Sequence, residues 1–168
     1  MGKSSRRSLN SLLRVPDEAK SVTYDIVVPC SAASAQSHFT QVVWYDLGFQ
    51  TMPLLNMLPF AGIHKVGDEN GVGCVRVVPG AWLPMIKEEI LAVEPGKINY
   101  RVKSGPFPVS YHKGTVLFEE EGDSTRVTWT VEYVPFPLCD GVTRFLVWFM
   151  FPNGLKALEK AILEDKNE

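Results

Sequence analysis

The sequence predicts an α+β domain in which a curved seven-stranded antiparallel sheet wraps around a long C-terminal helix, with two short helices after the first strand. Three observations lead there. Near the amino terminus Val22, Tyr24, Ile26 and Val28 alternate with Thr23, Asp25 and Val27, the period-two pattern of a half-buried strand. Turn signals then recur between Gly62 and Pro135 with no helix-length segment between them: Glu69-Asn70-Gly71, Pro79-Gly80, Pro95-Gly96, Gly105-Pro106 and Gly122-Asp123. Finally, Val142, Phe145, Leu146, Phe149, Leu155, Leu158 and Ile162 fall on one helical face of a segment running from Asp140 to Asp165.

Each element has a local cause. The first strand stops at Pro29, and Ser31 can cap a helix built on Ala32, Ala33, Ala35 and Gln36, continued by Phe39, Val42 and Val43 and ended by Leu47-Gly48. Residues 49–60 set Leu54, Leu55, Met57 and Leu58 between Pro53 and Pro59, so a short, imperfect second helix or an ordered loop is expected. Strands joined by turns, without crossover helices, pair antiparallel, giving a meander of six strands with the first strand as a seventh. Pro152-Asn153-Gly154 is expected to interrupt the final helix. Its apolar run, Phe145 to Phe151, is far short of the roughly 20 residues that span a bilayer.

With 168 residues the chain fits one domain. Residues 1–20 read as a flexible basic tail and residues 21–168 as the folded unit. The composition is 45% hydrophobic and 21% charged, which excludes disordered, fibrous and membrane-embedded classes. A net charge of −2 lacks the excess of cations that a phosphate backbone demands, so nucleic acid is not an expected partner. Cys30, Cys74 and Cys139 are scattered, odd in number and without paired spacing, which suits inert thiols in a reducing compartment and a cytoplasmic location. Met1 to Lys20 lacks the apolar core of a secretory signal, and Arg6 stands where a myristoylation signal wants Ser or Thr.

A sheet with one apolar face must be covered, and the C-terminal helix is the one element long enough to do so. Val127, Trp129, Val131 and Tyr133 share one face of a strand, and Ile98, Tyr100 and Val102 share one face of another. One helix laid across so wide a sheet leaves room near its ends for a ligand pocket.

The runs Gly71-Val72-Gly73-Cys74-Val75-Arg76, Lys87-Glu88-Glu89-Ile90, Glu94-Pro95, Tyr100-Arg101-Val102, Gly105-Pro106-Phe107-Pro108, Gly114-Thr115-Val116 and Thr125-Arg126-Val127-Thr128-Trp129 resemble the polyketide cyclase/dehydrase group of the START-like (SRPBCC, helix-grip) superfamily. The resemblance runs from about Val22 to Leu163. It implies a strand, two helices, six strands and a closing helix around an apolar cavity, with activities ranging from lipid carriage to aromatic-ring cyclisation. The basic N-terminal extension and Pro152 inside the closing helix depart from that pattern.

Polar residues on an apolar inner face are the informative ones, since burial without a partner costs about 1–3 kcal/mol. His112 shares a face with Gly114, Val116 and Phe118 and either orients a ligand carbonyl and moves protons, or simply packs. Glu88, between Ile86 and Ile90, reads as an inward carboxylate with Arg76 as its cation; alternatively Val75 and Val77 take the interior and Arg76 turns to solvent. Trp82, Tyr100, Trp129, Tyr133, Phe145 and Phe149 line a pocket for a flat or acyl ligand, or fill the core. No catalytic serine elbow, phosphate-binding loop, zinc-helix motif or dinucleotide fingerprint occurs, so neither metal nor cofactor is expected.

The function these residues suggest is binding, with transport or sequestration, of a hydrophobic small molecule, lipid or polyketide-like, between sheet and helix. The alternative is a polyketide cyclase/dehydratase-type enzyme in which His112, Glu88 or Tyr100 shuttles protons. A weak membrane or protein contact through residues 1–20 and 49–60 is a further expectation.

Overall fold

Strand β1 (Lys20–Val28) begins two residues ahead of the alternating run and pairs antiparallel with β7 (Ser124–Pro135), near the other end of the chain, from Lys20↔Tyr133 to Val28↔Thr125. In the computed structural model, residues 14–43, 65–66, 71–78 and 86–166 are described. The other strands are β2 (Lys65–Val66), β3 (Val75–Val78), β4 (Ile86–Glu94), β5 (Lys97–Ser104) and β6 (Val109–Glu121). All neighbours are antiparallel, in the order β1-β7-β6-β5-β4-β3-β2. Six of the strands have four or more residues, and β2, at the edge, has two.

Helix α1 (Ala32–His38) starts as its sequence dictates, with Ser31 Oγ accepting from the Ser34 backbone N–H at 3.3 Å. It gives way to a π-helical turn over Phe39–Val43 rather than continuing as an α-helix. That turn places the fully buried Phe39 ring edge-on to Phe118 and Trp129, with centroids 5.7 and 5.0 Å away. The rest of the first helix and the second, expected at 49–60, lie outside the described residues. Gln36 fixes α1 to the β4–β5 turn: its amide donates to the Glu94 carbonyl at 3.0 Å and accepts from Gly96 N–H at 2.9 Å. Gly96 has φ +75°, a left-handed conformation that suits glycine in so tight a turn.

Helix α2 (Asp140–Asp165) is continuous, so the interruption expected at Pro152 does not occur. Proline there removes one N–H from the ladder. The Asn153 side chain donates to the Phe149 carbonyl at 2.8 Å, and Phe151, Gly154 and Leu155 on either side are buried. The stripe Val147, Phe151, Leu155, Leu158 and Ile162 joins the core with Val28, Ala35, Ile90, Ile98, Tyr100, Val116, Val127, Trp129, Val131 and Tyr133. The helix is pinned at its start by fully buried Thr143, whose hydroxyl lies 3.1 Å from the Pro108 carbonyl and 2.9 Å from that of Cys139.

Strict alternation on β6 and β7 sends His112, Gly114, Val116 and Phe118, and Val127, Trp129, Val131 and Tyr133, to the same inner face. Register irregularities at Lys87/Glu88 and Ile90/Ala92 bend β4, as bulges do, and re-aim the side chains that precede the β4–β5 turn. The cysteines are free thiols, with Cys74 buried. No helix among the described residues is long and apolar enough to cross a membrane.

Candidate functional site

Five strands bring the polar candidates onto one inner surface. Arg76 on β3 faces Glu88 on β4 in register, and its Nη2 lies 2.7 Å from Glu88 Oε2. The Arg76 side chain is fully buried and that of Glu88 is 16% exposed, so the inward arrangement holds and the solvent-facing alternative for Arg76 does not. The neighbouring residue on the opposite face, Glu89, instead meets Arg101 at 2.6 Å and Lys103 at 3.2 Å near the surface. Alternation along β4 thus separates an interior ion pair from an ordinary surface one.

Tyr100 is the centre of the group. The Arg76 guanidinium carbon sits 5.7 Å from its ring centroid, within cation–π range. Trp129 Nε1 donates to its hydroxyl oxygen at 3.0 Å, fixing both aromatics in the interior. Its cross-strand partner on β6 is Gly114, and a Cβ at that position would overlap the Tyr100 ring. The glycine is required here by close approach rather than by backbone conformation.

His112 packs beside Tyr100, with centroids 5.7 Å apart, and edge-on to Phe107 at 5.6 Å. The imidazole Nδ1 accepts from the Val102 backbone N–H at 3.3 Å, which assigns the proton of the neutral ring to Nε2. Burial removes the water that would solvate an imidazolium and pushes its pKa down to about 3. Burial likewise pushes the Tyr100 hydroxyl well above its usual value, helped by the Glu88 charge. Glu88 is raised by burial, against the opposing pull of Arg76. At neutral pH the surface therefore presents a neutral imidazole, a neutral phenol and one compensated ion pair.

The aromatic wall continues through Phe151, edge-on to Trp129 at 4.7 Å, and through fully buried Tyr133. Phe107, Phe39 and Phe151 belong to this surface although the sequence did not single them out as ligand contacts. Phe107 is hidden between two prolines in a loop, where no periodicity points inward. Gly114, isolated in a strand pattern, was the available signal for close packing.

Phe145 and Phe149 do not join the inner surface. Phe145 is 57% exposed and stacks on Phe149, 6.1 Å away, on the outer side of α2. The helical face that runs down through Val147, Phe151 and Leu155 is the one turned to the sheet, and Phe145 is rotated away from it. Trp82 lies outside the described residues. Among the described residues no cluster of three or more His, Cys, Asp or Glu could hold a metal ion.

The arrangement resembles several solved structures at low sequence identity. Norcoclaurine synthase from Thalictrum flavum, in complex with dopamine and hydroxybenzaldehyde, is 20% identical with a TM-score of 0.66, covering 87% of each chain. XoxI from Bacillus cereus is 19% identical with a TM-score of 0.66, covering 87% of this chain and 97% of its own. Ara h 8.0201 is 15% identical with a TM-score of 0.66, over 87% of this chain and 99% of its own. No curated protein matches the chain in sequence. These likenesses establish the fold. Residues 19–165, which hold the whole sheet and the closing helix, match the family described as polyketide cyclase/dehydrase and lipid transport, and the chain belongs to that family, within the START-like (SRPBCC) group.

Proposed function

We propose that the protein encloses a hydrophobic small molecule, a lipid or a polyketide-like compound, between the inner face of the sheet and helix α2, and carries or sequesters it. The observation that carries this reading is the placement of His112: its ring lies on the inner face between Tyr100 and Phe107, and its Nδ1 accepts from the Val102 N–H, which leaves Nε2–H as a donor suited to orienting a ligand carbonyl among aromatic rings. The ligand carriage named in the family description and the apolar surface of Tyr100, Phe107, Trp129 and Phe151 support the same reading.

A cyclase or dehydratase reading has support in the adjacency of His112, Tyr100 and the Arg76–Glu88 pair, and in the family description. It ranks second because efficient proton transfer wants a pKa near the working pH. His112 lies far below neutrality and Tyr100 far above it.

The test is titration with an apolar fluorophore such as anilinonaphthalene sulfonate, followed by competition with fatty acids and with flat aromatic ketones. Saturable one-to-one binding, displaced by one of these classes and unchanged in a Phe145→Ala/Trp148→Ala variant, is expected. Absence of saturable binding, or binding abolished by those two surface changes, contradicts the proposal.

A further inference from the structure

The exposed face of helix α2 changes character halfway along its length. In the second half, the exposed positions are mostly charged: Lys156, Glu159, Lys160 and Glu164, an ordinary solvated surface. In the first half they carry Val142, Phe145 and Trp148, which are 58%, 57% and 63% exposed, with Phe145 lying 6.2 Å from Trp148 and stacked on Phe149. The loop leading into the helix extends the patch with Phe136 and the wholly exposed Leu138. Large apolar side chains held at three-residue spacing, outside the core and at one end of the molecule, are poorly explained by packing.

The charges beside this patch indicate what covers it. Arg144 sits within it, one residue before Phe145, 67% exposed and paired with Asp140 one turn earlier at 2.9 Å. Lys20, the first residue of β1, pairs with Asp140 in the first turn of α2, so the chain enters the fold at the foot of the aromatic stripe. The sequence ahead of that point carries Lys3, Arg6, Arg7 and Arg14 and no acidic residue before Asp17. The described part of that segment begins at Arg14, and thirteen residues precede it, each able to extend by about 3.3 Å. The sequence leading to Lys20 is thus cationic, and Lys20 itself lies at the aromatic, tryptophan-bearing end of α2.

We infer that this end docks on an anionic lipid bilayer, with Leu138, Val142, Phe145 and Trp148 entering the headgroup region and Arg144 and the amino-terminal cations meeting lipid phosphates and carboxylates. Tryptophan and phenylalanine favour that boundary, and basic segments are drawn to the negative surface. A second copy of the chain fits less well. A two-fold interface through this patch would bring the cations Lys3, Arg6 and Arg7 of one copy towards those of the other. The inference stands on the outer face of α2 and does not depend on what occupies the interior.

The experiment is flotation of the full chain with vesicles of phosphatidylcholine alone and of phosphatidylcholine mixed with phosphatidylserine, at low and high salt. Binding to the mixed vesicles, at least tenfold stronger than to phosphatidylcholine alone and weakened by salt, is expected. Phe145→Ala/Trp148→Ala and, separately, Arg6→Glu/Arg7→Glu should each reduce it about tenfold or more, while Lys156→Gln/Lys160→Gln should not. Circular dichroism and thermal melting establish that each variant is folded. Failure of the wild-type chain to float with the mixed vesicles overturns the inference, and so does binding that survives the aromatic double variant. A concentration-dependent dimer abolished by that variant, with no flotation, assigns the patch to a second copy instead.

Discussion

Gly114 lies directly across from Tyr100 in the β5–β6 ladder, and the phenol ring occupies the space a side chain at position 114 would need. The two residues act as one packing unit, and the ring so seated accepts a hydrogen bond from Trp129. Gly114→Ala is expected to destabilise the fold by about 1–3 kcal/mol through overpacking, and to shift tryptophan emission as Tyr100 is displaced. Urea unfolding with fluorescence detection measures both. An unchanged midpoint would mean that the ring moves aside freely and that its position is not constrained.

The Arg76–Glu88 pair is buried on the core side, where one charge without the other is costly. Arg76→Met is expected to cost about 3–5 kcal/mol, and Arg76→Met combined with Glu88→Leu distinctly less, because the double variant leaves no isolated charge. A denaturation cycle over the two singles and the double gives the coupling. Additive losses would place the two groups in separate environments.

His112 makes stability depend on pH in a defined direction. Its folded pKa lies near 3, below the unfolded value of about 6.5, so between these limits the unfolded chain holds a proton that the folded chain rejects. Stability contributed by the neutral imidazole is complete above pH 6.5 and is lost as pH falls, by up to about 1.4 kcal/mol per pH unit, until the folded form titrates near pH 3. His112→Gln should remove this dependence, so the difference between wild type and variant, measured by urea unfolding from pH 7 to pH 4, should narrow as pH falls. A difference that stays constant with pH would place a solvated, readily protonated imidazole at this position.

Thr143 ties the first turn of α2 to Pro108, next to Phe107 and therefore to His112. Thr143→Val keeps the shape and removes the hydroxyl; the Pro108 carbonyl keeps its bond from the Phe136 N–H, so the expected cost is that of one lost hydrogen bond, about 0.5–1.5 kcal/mol. Faster amide exchange around Val109 and Val142, with the central strands unchanged, would locate the loss at this junction. Uniform acceleration would instead point to global destabilisation.

The architecture was legible where one signal dominates. Alternation on Val127, Trp129, Val131 and Tyr133 fixed the inner face of β7, and the turn pairs Pro95-Gly96 and Gly122-Asp123 fell between paired strands. The inward histidine and the Arg76–Glu88 pair followed from the same periodicity, although the short β3 left the Arg76 face open until its partner strand was in place. The errors arose where tertiary packing decides. Pro152 was expected to break a helix that runs on through it, with Phe151 and Leu155 buried on either side. Phe145 and Phe149 share a coarse apolar pattern with the core face, yet the sheet takes the stripe through Val147 and leaves them outside. Phe107 carried no periodic signal because it sits in a loop.

The central claim, that the protein takes up a hydrophobic guest between sheet and helix, is tested most directly by mass spectrometry of organic extracts from the native, purified protein. One apolar compound recovered reproducibly near one equivalent per chain, from the wild type and from Phe145→Ala/Trp148→Ala alike, and retained less well by Gly114→Ala, is the predicted result. Extracts matching those of an unrelated protein prepared in parallel, together with an interior that admits no added lipid or aromatic ketone, would contradict it.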